Sequence, residues 1–133
     1  MPVADPSELA SLPLFASLSE RERAEVAAWF EAREVGAGVR LVGEGATGHS
    51  FFVVCAGEVT VTAHGEEIAT LRAGDFFGEV ALLATERRTA TVTTKEPSRI
   101  LVLFGNDFSR LRSSHPAVAA ELEAASQLRL DRS

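Results

Sequence analysis

The spacing of apolar residues separates helical ends from a strand-rich middle of the chain. Near the start, Val26, Trp29 and Phe30 recur at intervals that place their side chains on one face of a helix. From about Arg33 the period changes to two, in short segments rich in β-branched and aromatic residues, such as "FFVVC", "EVTVTAH" and "RILVLF". This pattern predicts helices followed by a series of short strands.

Two helix-start signals occur before the strands. Asp5 is followed by Pro6 and Glu8, a spacing that lets the two acidic side chains satisfy each other's backbone N–H groups. Ser19 and Glu22 repeat the same spacing. We therefore expect two N-terminal helices, interrupted by the proline of "SLPLF".

The middle and end of the chain complete the predicted architecture. Short strands separated by glycine turns at regular spacing predict a β-barrel or jelly roll, not a parallel sheet. Asn106 or Asp107 is expected to cap a short helix, and Pro116 to begin the last one. The fold class is therefore α+β, an antiparallel β-roll or jelly roll flanked by N-terminal and C-terminal helices. The predicted parts of one domain, 1–133, are 5–32 (helices), 33–104 (roll) and 106–130 (helices).

Composition and charge narrow the setting. The chain has 133 residues, enough for one hydrophobic core, and its formal net charge of −6 argues against a nucleic acid backbone as partner. We find no apolar run long enough to span a membrane, and the N-terminus "MPVADPSELA" lacks the basic and then apolar residues of a signal peptide. A single cysteine, Cys55, excludes an internal disulfide and fits a cytoplasmic location. We expect Cys55 to pack within a strand as a small hydrophobic side chain.

Several common chemistries lack the residues they need. "GEGATG" matches G-x-G-x-x-G, but a strand follows it where a dinucleotide site requires a helix, so a hairpin turn is the better interpretation. His49, His64 and His115 lie in separate turns without metal-ligand spacing, and we expect them to be solvated. No serine or cysteine has a plausible base beside it. The sequence therefore predicts that the chain is not an enzyme.

The segment "FGEVALLATERRTATV" is the candidate site. Gly78 permits close backbone approach, and the residues after it can form one helical turn whose free N–H groups suit a phosphate. Arg88 offers a guanidinium fork for the same phosphate, while Glu79 can accept a hydrogen bond from a sugar hydroxyl. One ligand with a ribose hydroxyl and a cyclic phosphate satisfies both side chains. The alternative is a Glu79–Arg88 salt bridge that closes a loop.

The segment resembles the phosphate-binding cassette of the cyclic nucleotide-binding domain family, whose pattern is roughly F-G-E-x-A-L-x-x-x-x-x-R-x-A-T. The matching residues are Phe77, Gly78, Glu79, Ala81, Leu82, Arg88, Ala90 and Thr91. "PLFASLSERERAEVA", "GVRLVGEGATGHSFFVVCAGEVTV" and "DFSRLRSSHP" extend the resemblance over nearly the whole chain. Arg87 stands where many members have proline, and His49 replaces a frequent acidic residue.

The resemblance implies a cassette at 77–91 and a role for each residue. Glu79 is expected to bind the ribose 2′-hydroxyl and Arg88 the exocyclic phosphate oxygens. Backbone groups of the remaining positions would line the pocket. The predicted ligand-binding set is Gly78, Glu79, Val80, Ala81, Arg88, Thr89 and Ala90.

The implied function is that of a sensor for cyclic AMP or cyclic GMP, with no further cofactor. The last helix would act as a lid and signal to an attached effector domain or a partner protein. Thr89 fits the versions that bind cyclic GMP well, or it merely suits the start of a strand. The rival interpretation is a structural or protein-interaction module that keeps the fold without the ligand.

Overall fold

The computed structural model describes residues 3–45, 50–79, 88 and 90–131, in which helices flank two antiparallel sheets. The helices are α1 (Pro6–Ala10), a 3-10 turn (Pro13–Phe15), α2 (Glu20–Ala27), α3 (Gly105–Ser114) and α4 (Pro116–Asp131). The strands are β1 (Glu31–Val35), β2 (Arg40–Val42), β3 (Ser50–Ala56), β4 (Glu58–Ala63), β5 (Glu66–Arg72), β6 (Phe76–Phe77), β7 (Thr91–Thr94) and β8 (Ser98–Phe104).

The two sheets form the β-roll that the sequence predicts. The strand order is β1-β8-β3-β6 in one sheet and β2-β7-β4-β5 in the other. All of the described pairings are antiparallel. The prediction of an α+β fold with an antiparallel roll and flanking helices is confirmed.

Strands β3 and β8 are buried on both faces, which explains their nearly continuous apolar sequences. On β3, Phe51 and Val53 pack against the helices, while Phe52 and Val54 point into the roll. Phe51 also contacts Phe108 of α3, with ring centroids 5.2 Å apart. The sheet therefore separates a helix-side core from a second apolar cluster inside the roll.

The helix starts are as predicted at the N-terminus but not in α3. Asp5 and Ser19 each form a capping box, the first with Glu8 and the second with Glu22. The prediction that Asn106 or Asp107 caps α3 is wrong. The helix begins at Gly105 directly from the extended Phe104, and its first turn has no side-chain cap. Strand β8 runs straight into α3, so both candidate caps already lie inside the helix.

A half-buried ionic cluster joins α1 to the roll. Glu8 of α1 accepts hydrogen bonds from Arg99 Nε at 2.6 Å and Arg99 Nη2 at 2.9 Å. The thiol of Cys55 donates to the same carboxylate at 2.9 Å. Burial, and then the neighbouring carboxylate, raise the pKa of Cys55 to about 12. Cys55 is thus half-buried on β3, as a hydrogen-bond donor as well as an apolar group.

The C-terminal helices pack on the helix-side core through few side chains. In α4, Val118 and Leu122 are fully buried in that core. The expectation that every histidine is solvated is wrong for His115, which joins α3 to α4 and is only 8% exposed. Its Nδ1 lies 3.4 Å from the Glu22 carboxylate of α2. His64 is exposed as expected, and His49 lies outside the described residues.

Candidate functional site

Arg88 is placed at the site by backbone and side-chain hydrogen bonds from the segment after β2. Gly45 N–H donates to the Arg88 carbonyl at 2.8 Å. Glu44 N–H donates to the Thr91 hydroxyl at 2.9 Å, three residues further along the chain. These bonds fix the entrance to β7, from which the Arg88 side chain turns toward β3 and β6.

The Arg88 side chain lies in a cradle built by two strands. Its Nη1 donates to the Gly78 carbonyl at 3.0 Å, and its Nη2 donates to the Ser50 carbonyl at 2.8 Å. The guanidinium carbon lies 5.9 Å from the centroid of the Phe52 ring, which stacks on Phe77. We call these four residues, Ser50, Phe52, Phe77 and Gly78, the Arg88 cradle.

Gly78 is required by its backbone conformation and by its surroundings. Its φ of +95° lies in the left-handed region that favours glycine. A Cβ at this position would meet Arg88 Nη1 at 2.8 Å and the Ser50 carbonyl oxygen at 2.9 Å. A side chain at residue 78 would therefore push the guanidinium out of the cradle.

The charges of the site are buried. Arg88 is 7% exposed and Glu79 is fully buried. Burial lowers the pKa of Arg88, and the negative charge of Glu79 acts in the opposite direction. The two groups are therefore not an exposed surface ion pair. The site holds a desolvated cation beside a buried carboxylate, an arrangement suited to an anion that also carries a hydroxyl group.

The structure brings together part of the predicted set. Gly78 and Arg88 are in direct contact, Glu79 follows Gly78, and the half-buried Ala90 lies just before β7. Val80, Ala81 and Thr89 lie outside the described residues. Neither Ser50 nor Phe52 stands out in the sequence. Ser50 acts through its carbonyl, which carries no signal of residue type. Phe52 belongs to an apolar run that is buried on both faces of the sheet, so the pattern does not show which face it takes.

Two other features of the described residues bear on the site. They contain no group of three histidine, cysteine or acidic side chains placed to hold a metal ion, and none of their helices is long and apolar enough to cross a membrane. A groove of about 440 Å³ lies at the other end of β3, lined by residues that include Ala56, Ser98 and Arg99. It contains none of the predicted site residues, so we place the candidate site at Arg88.

Comparison with known proteins decides the family. The profile of the cyclic nucleotide-binding domain matches residues 32–115. The chain belongs to the cyclic nucleotide-binding domain family. It is 39% identical over 105 residues to a cAMP-dependent protein kinase regulatory subunit of Yarrowia lipolytica, covering 77% of this chain and 28% of that protein.

Two further likenesses agree with the family. The chain is 36% identical over 111 residues to cGMP-dependent protein kinase isozyme 1 of Drosophila melanogaster, covering 77% of this chain and 14% of that protein. The regulatory domain of Toxoplasma gondii PKA, solved with cAMP, superposes with a TM-score of 0.80 at 26% identity, over 92% of this chain and 48% of that one. The chain therefore spans less than a third of the length of either kinase relative.

Proposed function

We propose that this domain binds a 3′,5′-cyclic nucleotide, cyclic AMP or cyclic GMP, and transmits its presence through the C-terminal helix. The observation that carries the proposal is the Arg88 cradle. A desolvated guanidinium is held by neutral carbonyls next to Gly78 and a buried Glu79. An anionic ligand would accept the charge-assisted hydrogen bonds that neutral carbonyls cannot match in strength.

Arg88 would hold the cyclic phosphate. Two of its N–H groups point at Gly78 and Ser50, which leaves the planar fork oriented before a ligand arrives. A phosphate oxygen would accept charge-assisted hydrogen bonds from this fork in a site where little water competes. Preorganisation of this kind favours binding, since the side-chain ordering is complete in the free protein.

Glu79 would accept a hydrogen bond from the ribose 2′-hydroxyl, and Gly78 would let the backbone approach the ligand. We assign Val80, Ala81, Thr89 and Ala90 to the pocket lining on the family pattern. The choice of purine stays open in this proposal. One relative is named a cAMP-dependent kinase subunit and another a cGMP-dependent kinase, and Thr89 is compatible with a contact to guanine.

The proposed output is mechanical. Helix α4 is docked by Val118 and Leu122, so a ligand needs to contribute only a few kcal/mol of differential affinity to change its position. The effector would be an attached domain or a separate partner. We propose no catalytic activity for this domain itself, and a cytoplasmic location in line with its single free cysteine. The ligand-free module with the same fold is less well supported, because both charged groups are retained and buried.

Isothermal titration with cyclic AMP, cyclic GMP and 5′-AMP tests the proposal. We expect saturable binding of at least one cyclic nucleotide and much weaker binding of 5′-AMP, whose phosphate has an open geometry and an additional charge. Absence of binding for both cyclic nucleotides at millimolar concentration would refute the proposed function. Equal binding of 5′-AMP would show that the site recognises a phosphate but not its cyclic form.

A further inference from the structure

We propose that the stacked pair Phe52–Phe77 positions Arg88, so that Phe52 controls ligand affinity through the arginine. This inference rests on the proposed function, but the cradle itself is a property of the free protein. Phe52 is a positioning residue in this account, because it acts by fixing the plane of the guanidinium.

The geometry of two neighbouring strands carries the inference. Phe52 of β3 and Phe77 of β6 are directly opposite each other in the antiparallel ladder. Their rings are 4.8 Å apart and nearly parallel, at an interplanar angle of 7°. Each of the two segments also contributes one carbonyl to Arg88, Ser50 two residues before Phe52 and Gly78 directly after Phe77. One ring and one acceptor thus come from each side.

The Phe52 ring constrains a motion of the guanidinium that the two carbonyls leave free. Two hydrogen bonds to neutral acceptors fix two points of the guanidinium but allow its plane to rock about the line that joins them. The Phe52 ring, 5.9 Å from the guanidinium carbon, restricts this rocking and attracts the cation through its π face. Phe52 and Phe77 are 6% and 4% exposed, so both rings are packed inside the roll.

The absence of a side chain at Gly78 belongs to the same device. The position of its missing Cβ is 2.8 Å from Arg88 Nη1 and 3.4 Å from Phe52 Cδ2. The guanidinium, the Phe52 ring and the backbone of residue 78 therefore meet in a space that only glycine leaves open. Two phenylalanines that only filled the core would not have to pack against a charged group, whereas Phe52 packs against Arg88.

A double-mutant cycle between Phe52→Leu and Arg88→Gln tests whether Phe52 acts through Arg88. In the otherwise unchanged protein, Phe52→Leu should weaken cyclic nucleotide binding about 5- to 30-fold, the scale of a desolvated cation–π contact. In the Arg88→Gln background the same change should have less than about a 2-fold effect. Equal losses in both backgrounds would overturn the inference, since Phe52 would then affect binding by another route.

The control is Phe51→Leu on the same strand. Phe51 is fully buried on the opposite face, against Phe76 and Phe108. It should lower stability to urea at least as much as Phe52→Leu while leaving the affinity within about 3-fold of wild type, below the range of a desolvated cation–π contact. Phe52→Tyr retains the ring and should restore most of the affinity. A Phe51→Leu loss as large as that of Phe52→Leu would reduce the effect to general destabilisation.

A measurement without ligand separates this inference from the proposed function. Arginine-selective nitrogen NMR should give a resolved Arg88 side-chain signal with slow guanidinium rotation, lost in Phe52→Leu and kept in Phe51→Leu. If no cyclic nucleotide binds but this pattern holds, the cradle stands and the function fails. If the nucleotide binds while Arg88 rotates equally fast in the wild type and Phe52→Leu, the cradle fails. If binding to the Arg88→Gln protein is too weak for the double-mutant cycle, the Arg88 side-chain signal alone tests the inference.

Discussion

Replacing Glu8 by glutamine should release much of the attachment of α1 to the roll. The Glu8 carboxylate accepts hydrogen bonds from Nε and Nη2 of Arg99, from the Cys55 thiol and from the backbone N–H of Asp5. Glutamine keeps the shape and can still complete the capping box. The substitution therefore removes the charge with little change in size. It also replaces the oxygen that accepts from Arg99 Nε and the Cys55 thiol by an NH2 group, which cannot accept either bond.

The size and pH range of the effect follow from the carboxylate. The hydrogen bond from Arg99 is the main cause that lowers the pKa of Glu8 from 4.5 to about 2. A fall of this size corresponds to about 3 kcal/mol at most. Because the cluster lies near the surface, we expect about 1–2 kcal/mol after screening. Since the folded pKa is depressed, this stabilisation is complete above pH 4.5 and is lost as the pH falls toward 2.

Urea unfolding from pH 7 to pH 3 measures the contribution of Glu8 to the free energy of unfolding. Glu8→Gln should be less stable than wild type by a constant amount down to about pH 5, and the difference should fall by about half or more at pH 3. Glu34→Gln is the matched control, because Glu34 pairs with the same Arg99 at 2.7 Å but its side chain is 74% exposed. It should cost about 0–1 kcal/mol. Equal losses for the two variants, or a Glu8 effect that does not vary with pH, would refute the reasoning.

Three further predictions concern the site and the lid. Gly78→Ala places a Cβ 2.8 Å from Arg88 Nη1, and its left-handed backbone alone should cost at least about 1–2 kcal/mol of stability. Cyclic nucleotide affinity should fall as well, and an unchanged affinity by titration would contradict the role of the cradle. A 2′-deoxy cyclic nucleotide should bind about 1.5–3 kcal/mol more weakly than the ribose form if Glu79 accepts from the 2′-hydroxyl; indistinguishable affinities would exclude that role. The segment 117–130 should exchange amide hydrogens faster without ligand than with it, and equal protection at saturating nucleotide would argue against a lid.

The parts of the fold that sequence could predict are those fixed by neighbours in the chain. Both capping boxes depend on residues three apart, and both form. The roll follows from short alternating strands with turns between them. Gly78, Glu79 and Arg88 stand out because their residue types suit the chemistry. The structure buries Glu79 and Arg88 and places the half-buried Gly78 directly against Arg88.

The parts that sequence missed depend on distant partners or on the backbone. Glu8 and Arg99 are 91 positions apart, and no local pattern indicates that they pair. His115 follows a helix and precedes a proline, which is typical of an exposed turn. It is nevertheless buried, and its Nδ1 lies 3.4 Å from the Glu22 carboxylate of α2. Ser50 contributes a carbonyl, which every residue has. Such contacts become visible only when the sheets have brought the segments together.

The central claim is that Arg88 holds the phosphate of a cyclic nucleotide. Titration of Arg88→Ala against Arg33→Ala tests it most directly, because Arg33 is a half-exposed arginine on β1 whose partner is Glu31. We expect Arg88→Ala to weaken binding by about 2–5 kcal/mol, the cost of losing a desolvated charge-assisted contact, and Arg33→Ala to leave it unchanged. Equal affinities for Arg88→Ala and the wild type would contradict the account.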